Sequence, residues 1–174
     1  MNTRLLESIN IVSAAPVQDI NSDLDGDWVS LENYDGCLVV FHKNAGTAGD
    51  DPSILMLQAT DVSGTSSKAL NFNHLYYKVG ATALSGQGTF TKITGTATND
   101  LDLVTAFGTD IGADTGETLC VVDIKASDLD VSNGFSCIQL SIEGDDIGNS
   151  TYGAAYYILY GARYPGATPL TAIA

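Results

Sequence analysis

Basic residues are scarce in this chain, which has 7 Lys and Arg against 21 Asp and Glu and a formal net charge of −14. Proteins that bind nucleic acids draw much of their affinity from Lys and Arg side chains that neutralise phosphates. The few bases here are scattered and form no run. We therefore expect no nucleic-acid partner, and the acidic balance also argues against binding to an anionic membrane.

Long hydrophobic runs are missing as well. No stretch approaches the roughly 18 apolar residues that a membrane-spanning helix needs. Glu7 and Asn10 interrupt the start of the chain, where the apolar region of a secretory signal would lie. The sequence thus predicts a protein that folds in a cytoplasm and makes no membrane contact.

Cysteine is limited to Cys37, Cys120 and Cys137, an odd number without the C-x-x-C spacing of redox and zinc sites. Each of the three lies in an apolar, strand-like run. We interpret them as small buried side chains in a protein that folds in a reducing compartment. A disulfide or a reactive thiol is the alternative.

Groups arranged for catalysis are not recognisable in the sequence. His42 and His74 are the only histidines, and their separation is not that of metal ligands. The pairs Asp50–Asp51 and Asp145–Asp146 lie in Gly-flanked turns, where neighbouring side chains point apart. We interpret these pairs as solvated turn acids, because the carboxylates of a glycosidase face each other across a cleft. The sequence predicts a protein that is not an enzyme, with no catalytic residue, no metal site and no cofactor.

Short apolar runs with a period of two residues, separated by turns rich in Gly, Asp and Ser, dominate the rest of the sequence. We predict an all-β fold, an antiparallel two-sheet β-sandwich of the jelly-roll kind, in a single domain over residues 1–174. Residues 1–15 form an N-terminal segment with a short helical turn, and residues 164–174 form an extended C-terminal arm. The predicted strands are Trp28–Leu31, Cys37–Phe41, Ile54–Ala59, Ala69–Val79, Phe90–Thr94, Leu101–Ala106, Cys120–Ala126, Phe135–Glu143 and Tyr152–Tyr160.

Two of these runs carry further predictions. In Ala69–Val79 the apolar face changes from even to odd positions, which requires an extra residue in the strand. A bulge or break is therefore expected near Asn73–His74. The run Tyr152–Tyr160 is apolar or aromatic on both faces, which predicts a central strand or one whose outer face is covered by another subunit.

One acidic segment has the spacing of a calcium-binding loop. Asn21–Glu32 places oxygen-bearing side chains at loop positions 1, 3 and 5, Gly at position 6 and Glu at position 12. No helical pattern flanks it, and Trp28–Leu31 has the pattern of a strand, so an EF-hand is not expected. We prefer an acidic turn before a strand, with a bare calcium site as the alternative.

Aromatic residues offer another kind of binding site, because tyrosine and tryptophan rings stack on sugars. Trp28 and six tyrosines within predicted strands would suit a lectin with a concave sheet. The preferred interpretation is that tyrosine is a good strand residue that keeps its hydroxyl hydrated at a sheet rim or a subunit contact. The six are Tyr76, Tyr77, Tyr152, Tyr156, Tyr157 and Tyr160.

Several stretches of the chain resemble a family of virion structural proteins from tailed bacteriophages and prophages. The stretches are DWVSLENYDG, VVFHKNAGTAGDDPSILMLQATDVSGTSSKALNF, VVDIKASDLDVSNGFSCIQLSI and YYILYGARYP, and the resemblance spans roughly residues 5–165. It implies a small β-rich particle component without catalytic residues. Within that family we expect a capsid decoration (cement) protein that binds the outer surface of the head and stabilises it.

The resemblance also implies the partners. These are the major capsid protein and further copies of the chain, with a homotrimer as the expected oligomer, in a virion assembled in the bacterial host cytoplasm. The N-terminal segment and the Tyr164–Ala174 arm are the candidate contacts, by strand addition. The alternatives are a neck or tail component of the virion and a carbohydrate-binding β-sandwich module.

Overall fold

Strands form most of the regular structure of this protein, as the period-2 patterns predict. The structure is a computed structural model and describes residues 5–50, 52–80, 89–113, 115–144 and 151–163. In chain order the strands are β1 (Ile9–Asp19), β2 (Leu24–Asp25), β3 (Val29–Ser30), β4 (Gly36–Lys43), β5 (Ser53–Ala59), β6 (Lys68–Ala69), β7 (Phe72–Gly80), β8 (Thr91–Thr98), β9 (Asp100–Asp102), β10 (Glu117–Lys125), β11 (Cys137–Glu143) and β12 (Tyr152–Tyr160).

Two antiparallel sheets result, so the predicted all-β sandwich is confirmed. Sheet 1 has the strand order β1-β12-β4-β10-β7-β8. Sheet 2 has the order β2-β11-β5-β6, with β3 also paired to β11 and β9 to β5. A short 3-10 turn at Leu5–Glu7 agrees with the helical turn predicted for the N-terminal segment, and another lies at Ala126–Asp128. The predicted arm over residues 164–174 lies outside the described residues.

The chain passes back and forth between the sheets. It starts in sheet 1 with β1, crosses to β2 and β3, returns to β4, crosses to β5 and β6, and continues in this way to β12. Each crossing places the apolar side of another strand against the opposite sheet. The inner face of each sheet is therefore buried only by the other sheet. The jelly-roll connectivity stays a prediction.

The core lies between the two inner faces. Because side chains alternate along a strand, every second residue of β4 points inward, and Cys37, Val39 and Phe41 are buried. Tyr157 on β12 is fully buried, and its hydroxyl oxygen accepts a hydrogen bond of 2.8 Å from the backbone N–H of Leu140 on the opposite sheet. This bond ties the two sheets together at the centre of the core.

The Tyr157 hydroxyl occupies a gap in sheet 2. Leu24–Asp25 and Val29–Ser30 both pair with β11, and between them the chain leaves the ladder. Gly26 lies in this gap, where an added Cβ would be 2.8 Å from the Leu140 carbonyl oxygen and 3.3 Å from the Tyr157 hydroxyl. Glycine is therefore required there by the close approach of two sheets.

The predicted irregularity in the run that starts at Ala69 is confirmed. The pairing of β7 with β8 shifts register between Phe72 and His74. Phe72 and Leu75 are both buried although they are three residues apart, which the shift makes possible. A second break, at Leu70 and Asn71, separates the run into β6 and β7, which belong to different sheets.

Two of the differences from the predicted strands have a clear physical reason. Residues 9–19 form a strand of 11 residues that pairs with β12, where the sequence indicated no strand. Register shifts between Ser13 and Ala15 and between Ala15 and Gln18 hide its alternation. The predicted strand Leu101–Ala106 ends at Asp102, because the Asp102 carboxylate accepts a bond of 2.7 Å from the Val104 N–H and turns the chain.

Candidate functional site

One feature with binding potential is the side of sheet 1 that points away from sheet 2, called here the outer face. Alternation along its central strands sends one set of residues into the core and the other set outward. The outward set is only partly covered, whereas the inward set is buried. At the centre of the outer face lie Leu38 and Val40 from β4, Leu119 and Val121 from β10, and Tyr156 and Ile158 from β12.

These apolar residues are aligned in rows across the strands. Val40 pairs with Tyr156 on one side and with Val121 on the other, and Val121 pairs with Tyr76. A second row joins Leu38 to Ile158. Directly paired side chains of neighbouring strands lie about 4.5–5.5 Å apart and contact each other. The first row therefore forms a continuous apolar surface over four strands, whereas the second is apolar over β4 and β12 and meets Asp123 on β10, which pairs with Leu38.

The β1 edge extends this surface. Ile11 pairs with Ile158 and is 52% exposed, and Tyr156 in the neighbouring row is 39% exposed. Large apolar side chains scattered singly over a surface are normal, but a contiguous patch marks an interaction site. The outer face has the second pattern.

Polar groups surround the apolar centre and are paired with one another. His42 Nε2 lies 3.0 Å from Glu117 Oε1. The Lys92 ammonium group lies 5.2 Å from the ring centroid of Tyr76. An apolar centre with a polar rim is the usual anatomy of a protein–protein interface.

Tyr160 belongs to this rim, and its hydroxyl donates a hydrogen bond of 2.7 Å to Asp123 Oδ1. Desolvation raises the pKa of Tyr160, and the adjacent Asp123 carboxylate raises it further. The hydroxyl therefore remains protonated and keeps donating to Asp123 over the whole physiological pH range. This bond fixes the side chain against the edge of the outer face.

The structure divides the six strand tyrosines between two roles. Tyr157 is fully buried, and Tyr77 packs against the core from the inner face. Tyr76, Tyr152, Tyr156 and Tyr160 lie on the outer face. Strand β12 is an interior strand of its sheet, between β1 and β4, as its two apolar faces predict. Trp28 lies elsewhere, half-buried in the gap between β2 and β3.

The histidines are not brought together. His42 lies on β4, and His74 lies on β7, with β10 between the two strands. His74 contacts Asn73 Oδ1 at 3.2 Å and the edge of the Tyr76 ring. Each histidine therefore interacts with its own neighbours at the periphery of the outer face.

The calcium-like segment Asn21–Glu32 has a structural role in sheet 2. It contains β2 and β3, and its Asp25 carboxylate accepts a hydrogen bond of 2.7 Å from the Ser141 hydroxyl. Asp23 Oδ1 lies 3.4 Å from the Gly144 nitrogen. Over the described residues, no group of three or more His, Cys, Asp or Glu side chains is placed to hold a metal ion.

Asp50 corrects the prediction of solvated turn acids. It is 1% exposed, and its carboxylate accepts hydrogen bonds from the Thr47 N–H at 2.7 Å and the Thr151 hydroxyl at 3.3 Å. Thr151 directly precedes β12, so the bond ties the loop after β4 to that strand. Asp51, Asp145 and Asp146 lie outside the described residues.

Lys43 is a buried charge that the sequence analysis missed. It is 1% exposed, and its Nζ donates to the carbonyl oxygens of Asn44 at 3.2 Å and Gly116 at 3.3 Å. The signal was present in the alternation of β4, because Lys43 continues the inward series of Cys37, Val39 and Phe41. Buried polar groups of this kind fix the packing of one end of a sandwich.

All three cysteines are free and buried, as predicted. Burial raises the pKa of Cys120 to about 12 and also raises the pKa of Cys37 and of Cys137. Since the thiolate is the reactive species, a raised pKa lowers the reactivity of these cysteines. Their burial also shields the sulfur atoms from reagents.

We expect no thiol to react with a disulfide reagent at about pH 8 in the native protein, where a free thiol of ordinary pKa is partly ionised. In denaturant all 3 cysteines should react. The measurement is the stoichiometry of thiolate released before and after unfolding. Fast labelling of one cysteine under native conditions would contradict the prediction and would locate a strand that opens locally.

No helix in the described part of the chain is long and apolar enough to cross a membrane. Comparison with protein-family models, with curated proteins and with solved structures finds no match for this chain.

Proposed function

We propose that this protein is a non-enzymatic structural component of a tailed-phage particle. In this role it binds the outer surface of the capsid as a decoration protein and stabilises the head. The observation that carries the proposal is the outer face of sheet 1, an apolar surface built from four neighbouring strands. The family resemblance of the sequence supplies the identity of the particle.

The physical argument concerns what such a face can bind. A broad sheet face offers area to another protein surface, whereas small molecules bind in concave pockets. Stable protein contacts bury roughly 800 Å² on each partner, with an apolar centre and paired polar groups at the rim. The outer face has this composition. Its partners in the proposal are the major capsid protein and other copies of the chain in a homotrimer.

The architecture agrees with this role. The chain alternates between the two sheets, as successive strands of a jelly roll do, and jelly rolls are found in viral capsid and lectin domains. The chain's charge of −14 disfavours contact with packaged DNA, which suits a position on the exterior of the shell. The jelly-roll connectivity and the exterior position are part of the proposal.

The direct test is to image the particle that carries this protein by cryo-electron microscopy, with a gene-deletion particle as the matched control. We expect density on the head exterior at a copy number that follows the capsid symmetry. The deletion particle should lack this density and lose its genome at a lower temperature. Absence of the protein from purified particles would overturn the proposal.

Density in a ring at the neck or tail would favour the alternative virion positions. The mass of the isolated protein, measured by light scattering, separates these outcomes further. A trimer supports a decoration protein, and a larger ring supports a neck or tail component.

A carbohydrate-binding module is the second candidate, favoured by one observation. Tyr152 and Tyr156 lie on the same side of β12 and are 49% and 39% exposed. Exposed aromatic rings four residues apart on one side of a strand present faces on which sugars stack. Titration with oligosaccharides while following tyrosine fluorescence tests it, with Tyr156→Ala as the control that should abolish any change.

A further inference from the structure

The first half of strand β1, residues 9–13, is an open edge of sheet 1 and is called here the β1 edge. In the described part of the chain β1 is the outermost strand of its sheet and pairs with β12 alone. Over residues 9–13 this pairing is regular, and the first register shift follows Ser13. The β1 edge therefore has the geometry of a strand that another strand can join.

The hydrogen bonds of β12 determine which backbone groups of β1 face outward. The carbonyl oxygens of Tyr152 and Tyr160 each accept a bond of 3.0 Å, from the N–H groups of Asn44 and Asp35 beside the two ends of β4. Backbone groups alternate in direction along an antiparallel strand. Even-numbered residues of β12 therefore point their backbone groups to β4, and odd-numbered residues point theirs to β1.

The residues of the β1 edge that pair with even-numbered positions of β12 are Ile9, Ile11 and Ser13. Because those positions are bonded to β4, the N–H and C=O groups of these three residues point away from β12. Over the described residues no backbone hydrogen bond reaches them from the open side. Their side chains lie on the outer face, where Ile11 is 52% exposed.

The other edges of sheet 1 are protected against pairing. In the second half of β1 the Ala14 carbonyl oxygen accepts a bond of 2.8 Å from the Asp27 N–H, and Pro16 and the register shifts interrupt the ladder. The opposite edge strand, β8, carries Lys92. Charges, prolines and bulges keep edge strands from pairing with other chains. Residues 9–13 contain none of these.

The charge distribution favours a second copy of the chain as the partner. Each copy carries a net charge of −14, so most of the surface of one copy repels the other. Residues 8–18 have no charged side chain, so two β1 edges can meet without like charges opposite each other. A strand that is already ordered also loses less entropy on pairing than a flexible segment does.

We propose that the β1 edges of two copies pair antiparallel about a two-fold axis at Ile11. Ile11 then lies opposite Ile11 of the second copy, and Ile9 lies opposite Ser13. In this register every outward N–H and C=O group of the β1 edge finds a partner. The axis is perpendicular to the sheet, so both outer faces point to the same side and form one larger apolar surface. This contact does not depend on the particle role proposed above.

The test is oxidation of the Ile11→Cys variant, with Ser13→Cys as the matched control on the same side of the same exposed strand. Paired Ile11 positions have Cα atoms about 5.5 Å apart, within the about 4.4–6.8 Å that a disulfide spans. The two Ser13 positions are roughly 14 Å apart at about 3.4 Å per residue. We expect disulfide-linked dimers from Ile11→Cys, whereas Ser13→Cys stays reduced. The native cysteines do not interfere, since all three are buried. Equal dimer yields from both variants would overturn the proposal.

The mass of the isolated protein at high concentration, measured by light scattering, gives an independent readout. Ile11→Pro removes an outward N–H that β12 does not use, so it should keep the fold and halve the mass. The matched control is Thr94→Pro on the exposed β8 edge, which should keep the mass of the wild type. The alternation of backbone groups, followed across β4, β10 and β7, points the Thr94 N–H away from sheet 1 as well.

The same measurement separates this contact from the oligomer of the proposed function. Two trimers joined by their β1 edges form a hexamer that Ile11→Pro reduces to trimers, which supports both proposals. A ring of copies joined elsewhere keeps its mass in Ile11→Pro. An unchanged mass of folded Ile11→Pro protein, checked by circular dichroism, would overturn the β1 pairing and leave the decoration role to its own test.

Discussion

Replacement of Tyr157 by alanine should leave little folded protein at room temperature. Removing a fully buried aromatic side chain costs about 3–5 kcal/mol, and the unpaired Leu140 N–H adds about 1–3 kcal/mol. Together these losses approach the ~5–15 kcal/mol that stabilises a typical domain. The expected loss of stability is this large because the Tyr157 ring fills the core. Its hydroxyl also accepts the hydrogen bond from the Leu140 N–H, which no neighbouring strand accepts. Unfolding in urea, followed by circular dichroism, measures the effect.

Tyr156 is the matched control for this experiment, since it is the adjacent residue on the same strand but points outward. Tyr156→Ala should cost less than about 1 kcal/mol, as expected for a surface position. Tyr157→Phe separates the two roles of the buried ring, because it keeps the packing and removes the hydroxyl. A loss of about 1–3 kcal/mol is expected for it, and wild-type stability would show that the bond to Leu140 contributes nothing.

Much of the fold could be predicted because short apolar runs are separated by turn-rich segments. The runs located β4 and β10, and in the second half of β10 the outward Asp123 and Lys125 also indicated which face is buried. The phase change after Ala69 was equally informative, because only an extra residue can reconcile it with a continuous sheet. Apolar residues on both faces likewise identified β12 as an interior strand.

What could not be predicted depends on contacts between distant segments. Strand β1 contains Pro16 and two register shifts, so its alternation is broken although it is the longest strand described. Asp50 is buried by Thr151, a residue about 100 positions away, and a turn pattern carries no information about such a partner.

The candidate site could likewise be predicted only in part. The sequence identified Tyr152–Tyr160 as a strand with an unusual outer side, but the rows of the outer face arise only when β4, β10 and β12 are paired in register. The glycine of the calcium-like spacing shows a related limit of the sequence. Gly26 is required by the approach of Leu140 and Tyr157, which local spacing cannot distinguish from the turn glycine of a metal loop.

Tyr156→Glu should leave the fold intact and abolish particle binding. The residue lies in the row with Val40 and Val121, so a partner covering the outer face would bury the new carboxylate without a counter-charge. An unpaired buried charge costs about 3–5 kcal/mol, which corresponds to a loss of affinity of roughly 150- to 5,000-fold.

The matched control for this substitution is Ser67→Glu, which adds the same charge at an exposed position between β5 and β6 of the other sheet. Both variants should show the same urea midpoint within error, because neither position is buried. Deletion particles incubated with each protein and sedimented should then retain Ser67→Glu at full occupancy and Tyr156→Glu at none. Full occupancy of both variants would mean that the outer face is not the surface that meets the shell. Loss of both would mean that an added negative charge weakens binding wherever it lies on the protein. Only a loss of occupancy for Tyr156→Glu without a loss for Ser67→Glu assigns the contact to the aligned rows around Tyr156.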